Sequence, residues 1–176
     1  MYVLICSNIE ENPLPQFFWS CHKGNCKDVQ DLILLMQMKN IDININDING
    51  ENALHITIKE GHLQMVELLI KNGINVDSKN NEGQNAILVA FIKQKFLIVE
   101  HLLENGANCN VLDQNGRTLL HLCADEGKEN LANILLRHNI QRHIRDNKDC
   151  TAIQIAIEED FDEVGDLIKE WNPSKE

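Results

Sequence analysis

Apolar residues recur along this chain three and four positions apart, in short blocks that polar segments separate. Residues at that spacing share one face of an α-helix, so each block predicts a short helix with one buried side. The pattern therefore predicts an all-α fold built from short helices. The strongest blocks are Met65, Val66, Leu69 and Ile70; Ile98, Val99, Leu102 and Leu103; and Leu131, Ile134 and Leu135.

The polar segments between the blocks have the same form each time and begin 33 residues apart. They start at Asp47, Asn80, Asp113 and Asp146, and Gly stands at the fourth position of the first three. A small apolar pair and a helical stretch follow each start. A fixed period of this length is typical of repeat proteins, in which stacked helix pairs share one core. We therefore predict repeats at 47–79, 80–112 and 113–145, and a C-terminal capping repeat at 146–176.

A weaker repeat precedes these at 14–46. Its first helix is expected around Phe17 and its second around Leu32. The stretch from Gly24 to Asp47 is four residues longer than the 33-residue period allows. We expect the insertion near 34–40, either as an extended second helix or as a longer loop. Residues 1–13 are interpreted as an N-terminal extension.

The sequence of each period resembles the ankyrin repeat family. The best match is 47–79, where Leu54, His55 and the pair Gly61-His62 fall at the family's positions. The resemblance implies an all-α ankyrin-repeat solenoid of helix-turn-helix units linked by β-hairpin turns. It also implies that the turn glycines and motif histidines are structural, the histidines tying each turn to the first helix by hydrogen bonds. These structural residues are Gly50, His55, Gly61, Gly83, Gly116 and His121.

The resemblance further implies a partner-binding groove, because in the family the turn tips and the outer side of each first helix line a concave surface. Ile48, Ile92 and Leu112 are candidate apolar anchors, since a few apolar groups carry most interface energy. Single apolar residues on a surface are also common without a function. The other partner-binding candidates are Asn49, Glu51, Lys59, Lys79, Asn81, Gln84, Lys93, Gln114, Arg117, Asp125, Arg145 and Lys148, with Glu60, Glu82, Asn115, Glu126, Asn147, Cys150, Glu158 and Glu159 beside them in register.

Charge and cysteine usage limit the classes of partner. Sixteen Lys and Arg against 27 Asp and Glu give a formal charge of −11, whereas broad contact with nucleic acid needs a basic excess. No apolar run reaches the roughly 18 residues of a membrane span. The six cysteines are scattered, which indicates free thiols in a reducing compartment. We expect a cytoplasmic or nuclear protein, monomeric or in a heteromeric complex, with a protein partner and no direct nucleic-acid or membrane contact.

Catalytic and cofactor motifs do not occur in the sequence, so we expect neither an enzyme nor a cofactor. Cys21, His22 and Cys26 form one local cluster of metal-ligating residue types, but zinc sites usually combine two such pairs. A metal-binding or enzymatic protein built on this cluster is a less favoured alternative. A basic run over 137–148 is an alternative site for a phosphate or an acidic group.

The resemblance limits the function to a class. In size the chain is similar to the ankyrin-repeat inhibitors of cyclin-dependent kinases and to short virus-encoded relatives of the NF-κB inhibitors. It implies an inhibitor or adaptor that docks a folded protein, such as a kinase or a transcription factor. The 22 Asn and 21 Ile residues suggest an alternative, a viral or microbial effector directed at a host. Self-association through Phe17, Phe18 and Trp19 is a further alternative to their packing inside the first repeat.

Overall fold

The computed structural model describes residues 12–172, and over that range the chain folds into α-helices without a strand. The predicted all-α repeat architecture is confirmed. The chain divides into two compact units at Asn105 and Gly106. The first contains α1 (Leu14–Lys23), α2 (Cys26–Met38), α3 (Ala53–Glu60), α4 (Leu63–Lys71), α5 (Ala86–Ile92) and α6 (Phe96–Glu104), and the second contains α7 (Leu119–Asp125), α8 (Glu129–Arg137), α9 (Ala152–Glu158) and α10 (Asp162–Glu170).

Each polar turn is closed by the side chain of its first residue. Asp47 Oδ1 accepts the backbone N–H groups of Asn49 and Glu51, both at 2.8 Å. The same two bonds recur in the turns that begin at Asn80, Asp113 and Asp146. Asp and Asn are suited to this place because their short side chains reach the backbone two and four residues ahead.

The turns that link the repeats contain no regular strands over residues 12–172. The one isolated antiparallel bridge there joins Lys79 to Asn85. The side-chain bonds from the first turn residue and backbone bonds such as Asp47 N–H to Glu51 O hold the turns closed instead. The links between the repeats are thus short hydrogen-bonded turns with little regular strand character.

The first helix of each repeat begins at a residue that caps it. Asn52, Asn85, Thr118 and Thr151 stand directly before α3, α5, α7 and α9. The Asn52 side chain, for example, accepts the N–H of His55 at 3.1 Å. An N-cap of this kind satisfies a backbone donor that the helix itself leaves free, and it fixes where the helix starts.

The second helices show where the first repeat is longer. α2 has 13 residues, whereas α4, α6, α8 and α10 have nine each. The four additional residues are about one turn of α-helix, so the extra length is in the helix and not in a loop. None of the helices that the structure describes is long and apolar enough to cross a membrane.

Successive helix pairs share their apolar faces within each unit. In the first unit α3 packs against α1, α4 and α5, and in the second α9 packs against α7 and α10. Leu54, Val66 and Leu69 are completely buried between these helices. Burying one such side chain contributes about 1.5–3 kcal/mol. A helix pair in this arrangement depends on its neighbour for much of its core.

Backbone bonds between neighbouring turns add to this packing. The N–H of Asn81 donates to the carbonyl of Asn49 at 3.1 Å in the first unit. The N–H of Asn147 donates to the carbonyl of Asn115 at 2.9 Å in the second. Each bond joins positions almost one period apart, so the turns of adjacent repeats are held in a fixed register.

The turn glycines permit this close approach. Gly50 has a φ of +71°, and a Cβ on it would lie 2.8 Å from the backbone nitrogen of Asn81. Only glycine combines that backbone conformation with the space the neighbouring turn requires. The predicted structural glycines Gly61, Gly83 and Gly116 also have positive φ values, of +83°, +75° and +73°.

The motif histidines join one repeat to the next. His55 Nε2 lies 3.1 Å from the carbonyl of Gln84, and His121 Nε2 lies 3.2 Å from the carbonyl of Cys150. Because a carbonyl can only accept, Nε2 carries the proton, and His121 Nδ1 accepts the N–H of Thr118 at 3.1 Å. Burial lowers the pKa of both rings below the ordinary 6.5. Both histidines are therefore neutral at pH 7.

The bridging role of His121 predicts a large effect of its removal. His121→Ala leaves the buried Thr118 N–H and the Cys150 carbonyl without their partner. We expect the free energy of unfolding, measured in urea, to fall by about 2–3 kcal/mol, because an unsatisfied buried polar group keeps its desolvation cost.

His143→Ala is the matched control, because the exposed His143 ring makes no hydrogen bond or ion pair with any residue of 12–172. It should change the free energy of unfolding by less than about 0.5 kcal/mol. Equal losses in the two variants would contradict the bridging role.

Candidate functional site

The turn ends and the C-terminal ends of the first helices lie on the same side of each unit. Lys59, at the end of α3, forms an ion pair with Glu51 at the end of its turn. Arg117 Nη1 lies 3.1 Å from Asp125 Oδ2 in the equivalent places of the second unit. We define face 1 as turns 47–51 and 80–84 with the ends of α1, α3 and α5, and face 2 as turns 113–117 and 146–150 with the ends of α7 and α9.

Most residues predicted for partner binding on face 1 are accessible, but Glu51 is not. Its side chain is only 9% exposed, which corrects the expectation that it faces solvent. The Lys59 ammonium covers the carboxylate and satisfies it, so this charge is unavailable to a partner. Among the other candidates, Gln84 is half-buried, and Asn49, Lys59, Lys79, Asn81 and Lys93 are exposed.

The three apolar anchor candidates are exposed. Ile48, at a turn tip on face 1, is 94% exposed, and Ile92, at the end of α5, is 47% exposed. Leu112, which precedes the first turn of face 2, is 51% exposed. Water-exposed apolar side chains of this size are suitable contacts for a partner.

Face 2 contains a cavity of about 250 Å³ between its two turns and the ends of α7 and α9. Eight residues of its wall are candidates from the sequence: Arg117, Asp125 and Lys148, and the residues beside them in register, Asn115, Asn147, Cys150, Glu158 and Glu159. Gln114 and Arg145, also predicted, are exposed but do not line it. The full wall is Asn115, Arg117, Asp125, Asp146, Asn147, Lys148, Cys150, Ile155, Glu158 and Glu159.

The charged groups of this cavity differ in whether they already have hydrogen-bond or ion-pair partners. Arg117 lies between Asp113, with Nε 3.1 Å from Oδ2, and Asp125. The backbone N–H groups of Cys150 and Lys148 lower the pKa of Asp146, so this carboxylate stays ionised and belongs to the turn. By contrast, the exposed Glu158 and Glu159 carboxylates make no hydrogen bond or ion pair with any residue in the described range.

Two residues of the cavity wall were not among the sequence candidates. The sequence predicts Asp146 as the start of a turn, and Ile155 lies in the helical stretch predicted after that turn. Ile155 is 8% exposed and forms the apolar part of the wall. The 33-residue register could have identified it, because position 155 is on α9 one helical turn before Glu158 and Glu159.

The structure does not gather the suggested metal cluster. Cys21 is fully buried, and burial raises the pKa of its thiol to about 12. The ring of His22 instead lies 3.0 Å from Glu60. In the described part of the chain, no three His, Cys, Asp or Glu residues are placed to hold a metal ion.

The basic run over 137–148 has a structural use. Arg142 Nη1 donates to the carbonyls of Ile168 and Trp171, both at 3.1 Å, at the end of α10. Arg145 pairs with Asp149 at 3.4 Å. These contacts do not support a free phosphate site at Arg142.

Of the aromatic residues suggested for self-association, Phe17 is completely buried and Trp19 is 38% exposed beneath the Lys23 ammonium.

Comparison with known proteins agrees with this architecture. A family model described as Ankyrin repeats (3 copies) matches the chain twice, over residues 17–113 and 88–174. The Notch-regulated ankyrin repeat-containing protein of Xenopus tropicalis is 42% identical over 53 residues, which are 29% of this chain and 45% of that protein. The proteins of the same name from Homo sapiens and Mus musculus are each 40% identical over 53 residues, again 29% and 45%. The chain thus spans less than half the length of these relatives.

The burial of Glu51 predicts that Lys59 contributes to stability. Lys59→Met leaves the carboxylate without its partner while keeping the side-chain length. We expect the free energy of unfolding in urea to fall by about 1–3 kcal/mol, because a buried charge without its partner retains the cost of desolvation. Glu51→Gln added to Lys59→Met should recover part of the loss.

Lys93→Met on the same face serves as the control, since Lys93 is exposed and has no charged partner among residues 12–172. Its effect should stay below about 0.5 kcal/mol. If Lys59→Met is as mild as this control, the ion pair is not a structural element.

Proposed function

The chain belongs to the ankyrin repeat family, and from that premise we propose that it binds a folded partner protein through faces 1 and 2. The family is generally a non-enzymatic interaction fold, so recognition of another protein is the activity to expect. The observation that carries the proposal is the exposure of Ile48 and Ile92 among polar residues of face 1.

The geometry supports protein recognition in two ways. First, the backbone of each turn is held by Asp or Asn side-chain bonds and by the bonds between neighbouring turns. Binding to such a fixed surface loses little conformational freedom, which favours affinity. Second, exposed apolar groups stand beside charged ones, and interfaces commonly combine an apolar centre with a polar rim.

The proposed role is that of an inhibitor or adaptor in the cytoplasm or nucleus, with a kinase or a transcription factor as the class of partner. This role rests on the resemblance of the repeats to those of ankyrin-repeat inhibitors. The names of the aligned relatives describe them as regulated by Notch, and the 53 aligned residues do not extend that relation to this chain. The Asn residues, which suggested a host-directed effector, are extensively used in turns and caps of the fold.

Affinity capture with a matched pair of variants tests the proposal. The bait is the full chain, used with lysate of its native cells and quantitative mass spectrometry. Ile48→Lys with Ile92→Lys changes face 1, whereas Met38→Lys with Leu97→Lys changes two side chains of the same unit that are 82% and 72% exposed elsewhere. We expect the face 1 variant to lose about tenfold or more of the captured partner, as for interface anchors.

The control variant should retain the partner, and both variants should keep the wild-type thermal transition. Retention of the partner by the face 1 variant would contradict the proposal for face 1. Equal loss in both variants would show that capture depends on general surface polarity and not on this face.

A further inference from the structure

The ends of the first helices carry opposite charges in the two units. In the first unit, Lys23, Lys59 and Lys93 are exposed there. Two carboxylates lie beside them: Glu51 pairs with Lys59, and Glu60 lies 3.0 Å from His22. In the second unit the same places hold only acids. These acids are Asp125 and Glu126 at the end of α7 and Glu158 and Glu159 at the end of α9, all exposed.

The pairing between turn and helix end is also broken at the last repeat. Glu51 pairs with Lys59, and Arg117 pairs with Asp125, each across eight positions. The equivalent residues in the last repeat are Cys150 and Glu158. A thiol cannot neutralise a carboxylate, so the last pair contains no cation, whereas Lys59 and Arg117 supply one in the other two pairs.

The cavity of face 2 lies beside Cys150 and Glu158, the pair that has no cation. Its wall combines Glu158 and Glu159 with the apolar surface of Ile155. Lys and Arg side chains fit such a combination, because their aliphatic stems pack on apolar groups while the charged end reaches a carboxylate. Of the two cations in the wall, Arg117 is already held by two carboxylates, and Lys148 alone does not offset the acids.

We propose that face 2 binds a basic segment of the partner, with a Lys or Arg side chain in this cavity beside Glu158 and Glu159. The inference rests on the proposed function and specifies the chemistry of what is bound. Charge complementarity selects this occupant: an acidic peptide or a phosphate would meet uncompensated carboxylates. A second copy of the chain, which carries lysines on face 1, is the competing occupant.

Fluorescence anisotropy at low salt tests the inference with two labelled peptides of equal length. One has alternating Lys and Ala residues, and the other, the control, has alternating Glu and Ala residues. The full chain should bind the Lys peptide and not the Glu peptide. Glu158→Gln with Glu159→Gln should weaken binding at least about fivefold, as expected for charged groups at the contact. Asp162→Asn with Glu163→Gln on α10 removes the same charge from exposed positions outside face 2, and should change binding less than about twofold.

Alkylation of the cysteines locates the bound peptide. Cys150 lines the cavity, and Cys26 on α2 is similarly half-buried but lies outside face 2. Peptide mapping after iodoacetamide treatment should show that the Lys peptide slows modification of Cys150 and leaves that of Cys26 unchanged. The protection should disappear in the Glu158→Gln, Glu159→Gln variant.

Any of three results would overturn the inference: the Lys peptide does not bind, both charge variants weaken its binding equally, or the peptide protects both cysteines equally. A doubled mass in light scattering that depends on Glu158 and Glu159 would assign face 2 to a second copy and overturn it also. If the peptide fails while the face 1 variant still loses its partner, the proposed function stands. If the peptide binds but neither face affects partner capture, the proposed function fails instead.

Discussion

A hydrogen bond between neighbouring turns, from the N–H of Asn81 to the carbonyl of Asn49, fixes the spacing on which the surface of the first unit depends. The bond requires the two turns to approach closely, which in turn requires glycine at position 50. The second unit repeats the arrangement with Asn147 and Asn115. Because the helices follow directly from their turns, the turn spacing also sets which helix faces meet.

The same constraint explains how repeats this short combine a buried core with the proposed recognition surface. Inward-facing polar side chains serve the structure of each repeat. They are the Asp or Asn at the start of the turn, the cap before the first helix and the bridging histidine. The side chains at the tips of the turns and at the ends of the first helices are then free to differ. The third position of each turn shows this difference in residue type. All four are exposed, and they are Asn49, Glu82, Asn115 and Lys148.

Differences at those free positions produce the electrostatic contrast between the faces. Lys23 and Lys93 make the helix ends of face 1 basic, whereas Glu126 and Glu159 make those of face 2 acidic. The total charge of −11 is thus not evenly spread but includes a local group of carboxylates beside a cavity. Local charge of this kind affects the choice of partner and the rate of association more than it affects the fold.

The periodic sequence was sufficient to predict the helices and the turns, because those follow from spacing. The exposure of Ile48 and Ile92 was implied by the resemblance to the ankyrin repeat family, which places their positions on an outer surface. It could not predict that Glu51 is buried, since that depends on Lys59 reaching it across eight positions. The sequence also left open whether the insertion in the first repeat lengthens a helix or a loop. Arg142 had the pattern of a surface charge because its partners, the carbonyls at the end of α10, are backbone groups without a sequence signature.

Amide hydrogen exchange at the turn tips, measured by NMR on the full chain, tests the central constraint most directly. Ile48, Asn81 and Asn147 occupy equivalent tips, but only the last two donate their N–H to a neighbouring turn, and the Ile48 N–H has no acceptor among residues 12–172. After correction for intrinsic rates, Asn81 and Asn147 should exchange about tenfold or more slowly than Ile48, because exchange requires the bond to open. Equal rates at the three tips would contradict the account.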